Sequence, residues 1–179
     1  MLSIENTALL IIDVQEKLFR VMLHKEALAE NLQKIIKGAQ VLEIPPLVTE
    51  QKPILLGTTI PEIKNLLPHS QPINKSSFSC CGEEKFLNKL SALNCKQLLL
   101  AGIEAHICVY QTALELLEKG YEVQVLADCV SSRTEENKKL GLEKIKEAGG
   151  SITSVEISLF ELMRVAEGGT FKEISKIVK

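Results

Sequence analysis

A chain of 179 residues, 45% apolar, 25% charged and 4% aromatic, has the length of one domain and enough apolar side chains for a core. Twenty-one basic against 23 acidic residues give a formal net charge of −2, so nucleic acid finds no basic footprint and few aromatics on which bases could stack. The longest apolar runs, such as Ala8 to Ile12 and Leu98 to Ala101, fall far short of the ~20 residues that a membrane span requires.

The opening Met1-Leu2-Ser3-Ile4-Glu5 has no basic region, and Asp13 cuts the apolar run behind it. No secretory leader is read, and a cytoplasmic location is expected. Thr7 to Ile12 forms a compact buried strand ending at Asp13. Leu28, Leu32, Ile35, Ala39 and Leu42 then recur at helical spacing. Pro46 to Thr49 and Gln71 to Asn74 are weaker strand candidates, and the proline-containing region from Pro45 to Pro72, the least regular part, is read as loops near one edge of the sheet. Phe86, Leu87, Leu90 and Leu93 predict a helix, Lys96 to Ile103 a strand, and Val109, Ala113, Leu116 and Leu117 a helix stopped by Gly120. Tyr121 to Ala127 and Ser151 to Val155 complete the strands. Capping-box patterns start helices at Ser132-Arg133-Thr134-Glu135, Ser158-Leu159-Phe160-Glu161 and Thr170-Phe171-Lys172-Glu173. Such alternation predicts an α/β domain spanning residues 1–179, with a parallel sheet covered on both faces.

Five cysteines cannot all pair, and no CxxC occurs, so reduced thiols are expected. His24, His69 and His106 are scattered, and no structural zinc site is read. In open α/β sheets ligands sit beyond the carboxyl ends of the strands. That edge selects Asp13, Lys75, Cys108 and Asp128. Cys108, between a strand and a helix, is expected in the helix's first turn, where free amides and the macrodipole favour a thiolate. Most cysteines are simply small buried apolar residues, and an Asp ending a strand commonly caps the next turn. Asp128 is assigned that kind of role, tying down the loop to Ser132 and Arg133. Asp13 could otherwise exchange a proton with the thiol, and Lys75 would favour both charges.

The ordered set Asp13, Lys75, Cys108 resembles the triad of the isochorismatase-like cysteine hydrolases, a superfamily that includes nicotinamidases. Ala8-Leu-Leu-Ile-Ile-Asp13-Val-Gln15, Asn74-Lys75-Ser-Ser-Phe78 and Ala101-Gly-Ile-Glu-Ala-His-Ile-Cys108-Val-Tyr-Gln-Thr-Ala113 carry the likeness. Thr49-Glu50-Gln51-Lys52-Pro53, Leu56-Gly57-Thr58-Thr59-Ile60-Pro61-Glu62, Ala127-Asp128-Cys129-Val130-Ser131-Ser132-Arg133 and Phe171-Lys172-Glu173-Ile174 look like its isochorismatase domain-containing branch. The resemblance implies a Rossmann-like three-layer sandwich with six parallel strands in the order 3-2-1-4-5-6, and a homo-oligomer. It also implies a cis peptide between Ile103 and Glu104, with an oxyanion hole from the Glu104 and Cys108 amides. No histidine stands in Thr49-Glu50-Gln51-Lys52-Pro53, where nicotinamidases carry a metal cluster, so no metal and no cofactor are expected. The presence of Cys108 favours hydrolysis of an amide-type C–N bond in a small molecule. Phe19, Phe78, His106 and Ile107 are candidates for substrate contact. The competing expectation is a binding or scaffold protein of the same fold with a reactive thiol. A dinucleotide-binding domain is disfavoured, because Asp13-Val14-Gln15-Glu16 offers no glycine-rich turn.

Overall fold

Each strand core is an apolar run, and each helix between strands has one apolar stripe. The computed structural model, which describes residues 1–179, resolves these in chain order. They are β1 (Thr7–Ile12), α1 (Glu16–Phe19), α2 (Lys25–Val41), β2 (Pro46–Gln51), α3 (Pro53–Leu56), α4 (Pro61–Lys64), β3 (Ile73–Lys75), α5 (Glu84–Ala92), β4 (Gln97–Ile103), α6 (Tyr110–Glu118), β5 (Glu122–Ser131), α7 (Glu135–Glu147), β6 (Ser151–Thr153), α8 (Val155–Met163) and α9 (Gly168–Val178). The six strands form one sheet in the order β3-β2-β1-β4-β5-β6, and every pairing is parallel. This is the expected Rossmann-like single-domain α/β architecture.

Alternating side chains on the central strands feed two cores. Leu9 and Ile11 of β1 and Val48 of β2 join Leu32, Ile35 and Ile36 of α2, Leu159 of α8 and Ile174 of α9 on one face. Ala8, Leu10, Ile12 and Leu47 join Phe86 and Leu90 of α5, Ala113 and Leu116 of α6 and Ile145 of α7 on the other. Burial on both sides explains why β1 and β4 read as unbroken apolar runs.

Several boundaries differ from the sequence reading, each for a local reason. β2 continues through Glu50 and Gln51, whose polar side chains are buried by hydrogen bonding rather than by apolar contact. β3 is Ile73–Lys75, so Lys75 ends the strand instead of following it. β5 reaches Ser131 because its pairing with β4 jumps from Leu100↔Val125 to Gly102↔Val130, leaving residues 126–129 as a wide bulge. Asp128 lies in that bulge, and its two carboxylate oxygens accept from the Val155 N–H at 3.1 Å. It therefore fastens the start of α8 rather than the loop to Arg133. The capping patterns were displaced too. Thr134 caps α7 and Ser154 caps α8 through their side chains, whereas Ser158 and Thr170 lie inside helices and α9 starts after Glu167. An S/T-x-x-E pattern recurs by chance in charged sequence, and only the residue with extended backbone at the true start can cap.

Candidate active site

Continuing the alternation of β1 would send Asp13 toward α2. Instead Asp13 has a left-handed backbone, φ 52°, a conformation that Asp tolerates better than most residues. The bend turns its carboxylate to the opposite face, where Oδ1 accepts from Thr49 Oγ1 at 2.8 Å and Oδ2 lies 2.6 Å from Lys75 Nζ. The side chains of this ion pair are both fully buried.

β2 supplies the scaffolding on that face. Thr49 orients Asp13, and two residues on, Gln51 Oε1 accepts from Lys75 Nζ at 2.7 Å. Lys75 also donates to the carbonyl oxygens of Ser77 at 3.1 Å and Phe78 at 2.9 Å. Gln15 locks Gln51 in turn: its Oε1 accepts from the Gln51 N–H, and its Nε2 donates to the Gln51 and Gly57 carbonyls. Sequence reading missed Thr49, Gln51 and Gln15 as members of the site. Their signal was the alternation along β2, which puts Thr49 and Gln51 on the same face as Leu47.

Cys108 enters from β4. The chain leaves Ile103 through a cis peptide to Glu104 and winds into one π-type turn, Ala105–Val109, closed by the Val109 N–H bonding to the Glu104 carbonyl at 3.2 Å. Cys108 is thus in a wide turn that precedes α6, not in the first turn of the α-helix. Such turns are rare and often found at functional sites. Gly141 of α7 seats the turn from behind, for a Cβ there would stand 2.8 Å from the Ala105 oxygen and the His106 Cα.

Asp13, Lys75 and Cys108 are therefore brought together. Asp13 and Lys75 are the charges that act on the Cys108 thiol, and the thiol and the ammonium act on Asp13 in turn. Burial raises the Asp13 carboxyl above its ordinary range despite the opposing pull of Lys75. Lys75 is raised as well: burial works against its charge, and Asp13 and the nearby thiols more than offset that. The Cys108 thiol is pushed up to about 12, first by burial and then by the Asp13 charge, with Lys75 opposing. The expected low-pKa thiolate is thus corrected. The thiol is raised beside a base whose proton affinity burial has increased. Cys80, fully buried, approaches Thr49 Oγ1 at 3.7 Å and is likewise pushed up to about 12 by burial.

These causes give a signed expectation. Asp13→Asn removes the charge that raises the thiol and keeps Lys75, so the pH midpoint of Cys108 alkylation by iodoacetamide is expected to fall relative to wild type. In wild type that midpoint should lie well above the ~8.5 of a free cysteine. Peptide mass spectrometry across a pH series checks both, and a midpoint that rises or stays fixed in the variant refutes the coupling of the two groups.

The remaining predicted residues are more dispersed. His106 Nδ1 faces Ser132 Oγ at 2.9 Å, and Ile107 is half-buried against the α6 core. Phe19 packs on the α2 core. Phe78 contributes its carbonyl to Lys75, and the residue is 55% exposed. Glu104 pairs with Arg133 Nε at 2.9 Å through its carboxylate. Its N–H donates to no carbonyl or side chain of the fold. All five cysteines are unpaired, and no helix is long and apolar enough to cross a membrane.

An acid, an ammonium and a thiol held at the carboxyl edge of a doubly wound sheet define a protein equipped for acid–base and nucleophilic chemistry. Residues 7–157 match the model of the isochorismatase domain. The chain is 38% identical over 178 residues to the secreted isochorismatase effector Isc1 of Phytophthora sojae, a match covering 97% of this chain and 85% of that protein. It is 35% identical over 179 residues to isochorismatase domain-containing protein 2 of Danio rerio, covering 99% and 89%. A solved structure described as the MAR1 ribonuclease of Caenorhabditis elegans superimposes with a TM-score of 0.93 at 32% identity, covering 99% of this chain and 91% of that one. The chain belongs to the isochorismatase family of hydrolases.

Proposed function

We propose that this hydrolase cleaves the C–N bond of a small amide through a thioester on Cys108. The observation that carries the reading is a fully buried carboxylate, paired with Lys75, whose charge acts on the Cys108 thiol. As Sγ attacks the substrate carbonyl, its proton passes to Asp13. Because the thiol is pushed up to about 12, transfer accompanies attack rather than preceding it. Lys75 stays protonated and holds the carboxylate in place. The amides of Glu104 and Cys108 receive the developing oxyanion, and the unpaired Glu104 N–H supports that role. Asp13 then gives the proton to the leaving nitrogen, the C–N bond breaks, and the acyl group remains on Sγ. Water attacks this thioester while Asp13 takes one of its protons, and the acid and the thiol are released. His106 and Ile107, on the same turn as the nucleophile, are the candidates best placed to meet the substrate.

A panel of small primary amides, read by ammonia release and by mass on the Cys108 peptide, tests this reading. An acyl adduct on Cys108 that decays with release of acid is the expected result. Turnover without such an adduct, or an adduct on another cysteine, refutes it. The panel includes single-stranded RNA, because the C. elegans relative is described as a ribonuclease. With a net charge of −2, no RNA cleavage is expected.

A further inference from the structure

β2 carries the supports of the triad on one face and an unexplained carboxylate on the other. Glu50 lies between Thr49 and Gln51, so its side chain leaves the sheet on the side of Val48 and α2. It is only 6% exposed. Its Oε1 accepts from the Thr59 N–H at 2.7 Å and from Thr59 Oγ1 at 2.8 Å. Its Oε2 receives no donor from the chain and is not closed off from solvent, and none of the ion pairs of the fold includes Glu50. A buried carboxylate is ordinarily paired with a positive charge or saturated with hydrogen bonds. Here Thr59 holds one oxygen, and the other is left open to solvent.

Glu50 lines a cavity of ≈ 410 Å³ whose walls also include Val48, Ile63, Leu67, Thr58 and Ser70, a size usual for small-molecule sites. Lys64, also on the wall, is exposed and forms no ion pair. We propose that this cavity binds a small organic ammonium ion, with Glu50 as its counter-charge, at a place separate from the thiol. An anion would meet repulsion there. A divalent metal would need several oxygen ligands, and no second acidic residue lines the wall. A guanidinium prefers both oxygens of a carboxylate, and Thr59 already occupies one. An ammonium needs a single oxygen, can donate its other hydrogens to Thr58 and Ser70, and can rest an alkyl body on Val48, Ile63 and Leu67.

The test is a calorimetric titration of the full chain with n-butylammonium chloride, with 1-butanol as the neutral isostere. Saturable binding is expected, unaffected by butanol, equal in Cys108→Ala, and weakened about tenfold or more in Glu50→Gln. The glutamine keeps an acceptor for Thr59, and circular dichroism checks its fold. Leu67→Trp, which fills the cavity and leaves Glu50 in place, must also abolish binding. No saturation in wild type, equal affinity in Glu50→Gln or in Leu67→Trp, or loss in Cys108→Ala overturns the proposal. Because Cys108→Ala removes only the thiol, failure of the amine site and failure of the hydrolase reading give different results.

Discussion

Replacing Lys75 with methionine is expected to lower the unfolding free energy by about 3–5 kcal/mol, the usual cost of removing one partner from a buried ion pair. The methionine fills similar volume but leaves the Asp13 carboxylate with only neutral neighbours, Oγ1 of Thr49 among them, in a site where its side chain has no solvent contact. The pH dependence follows from the sign of the Asp13 shift. Its carboxyl already titrates above its ordinary range in the folded protein, and loss of Lys75 removes the charge that restrains it. A carboxyl raised on folding favours the native state at low pH, and that advantage is lost as pH rises from the unfolded through the folded pKa. Denaturant unfolding should therefore show a deficit in Lys75→Met that grows from acidic to neutral pH. Adding Asp13→Asn, which removes the stranded charge, should recover much of it. A deficit below about 1 kcal/mol, the scale of exposed pairs, would mean that water reaches the pair.

Cys108→Ala is expected to lower amide turnover by about 10⁴-fold or more, because an acyl-transfer site without its nucleophile retains only binding and oxyanion stabilisation. Stability should change by no more than about 1 kcal/mol, since the side chain is small and the π-type turn is closed by backbone bonds. The pair of measurements matters. Lys75→Met loses stability and activity together, whereas Cys108→Ala separates them. A variant lacking Cys108 that still hydrolyses amides at a tenth of the wild-type rate would move the chemistry to another group.

Much of the framework was legible because burial on both faces writes itself into composition. Thr7–Ile12 was read with its observed ends, and β4 was displaced by one residue. β2 and β3 were blurred where apolar contact gives way to hydrogen bonding, at Glu50, Gln51 and Lys75. β5 was cut short because its bulge interrupts the apolar run with Ala127, Asp128 and Cys129. At the site, residue type and strand end pointed to Asp13, Lys75 and Cys108. The protonation state of the thiol was misread, because a favourable local turn was weighed without the charge and burial that three distant segments impose. Thr49 and Gln51 carry no chemical signature of their own; only the alternation within β2, whose end had been misplaced, sets them beside the triad. Glu50 was read only as part of the Thr49-Glu50-Gln51-Lys52-Pro53 segment, and its cavity went unread for the same reason.

The left-handed bend at Asp13 makes the main chain a sieve for what can stand there. Asparagine passes through it nearly as well as aspartate, has the same shape, and can accept from Thr49 as the acid does. It cannot carry the proton. On the proposed mechanism a single-atom exchange thus removes the proton carrier without changing the bend, and it leaves the buried Lys75 ammonium without its counter-charge.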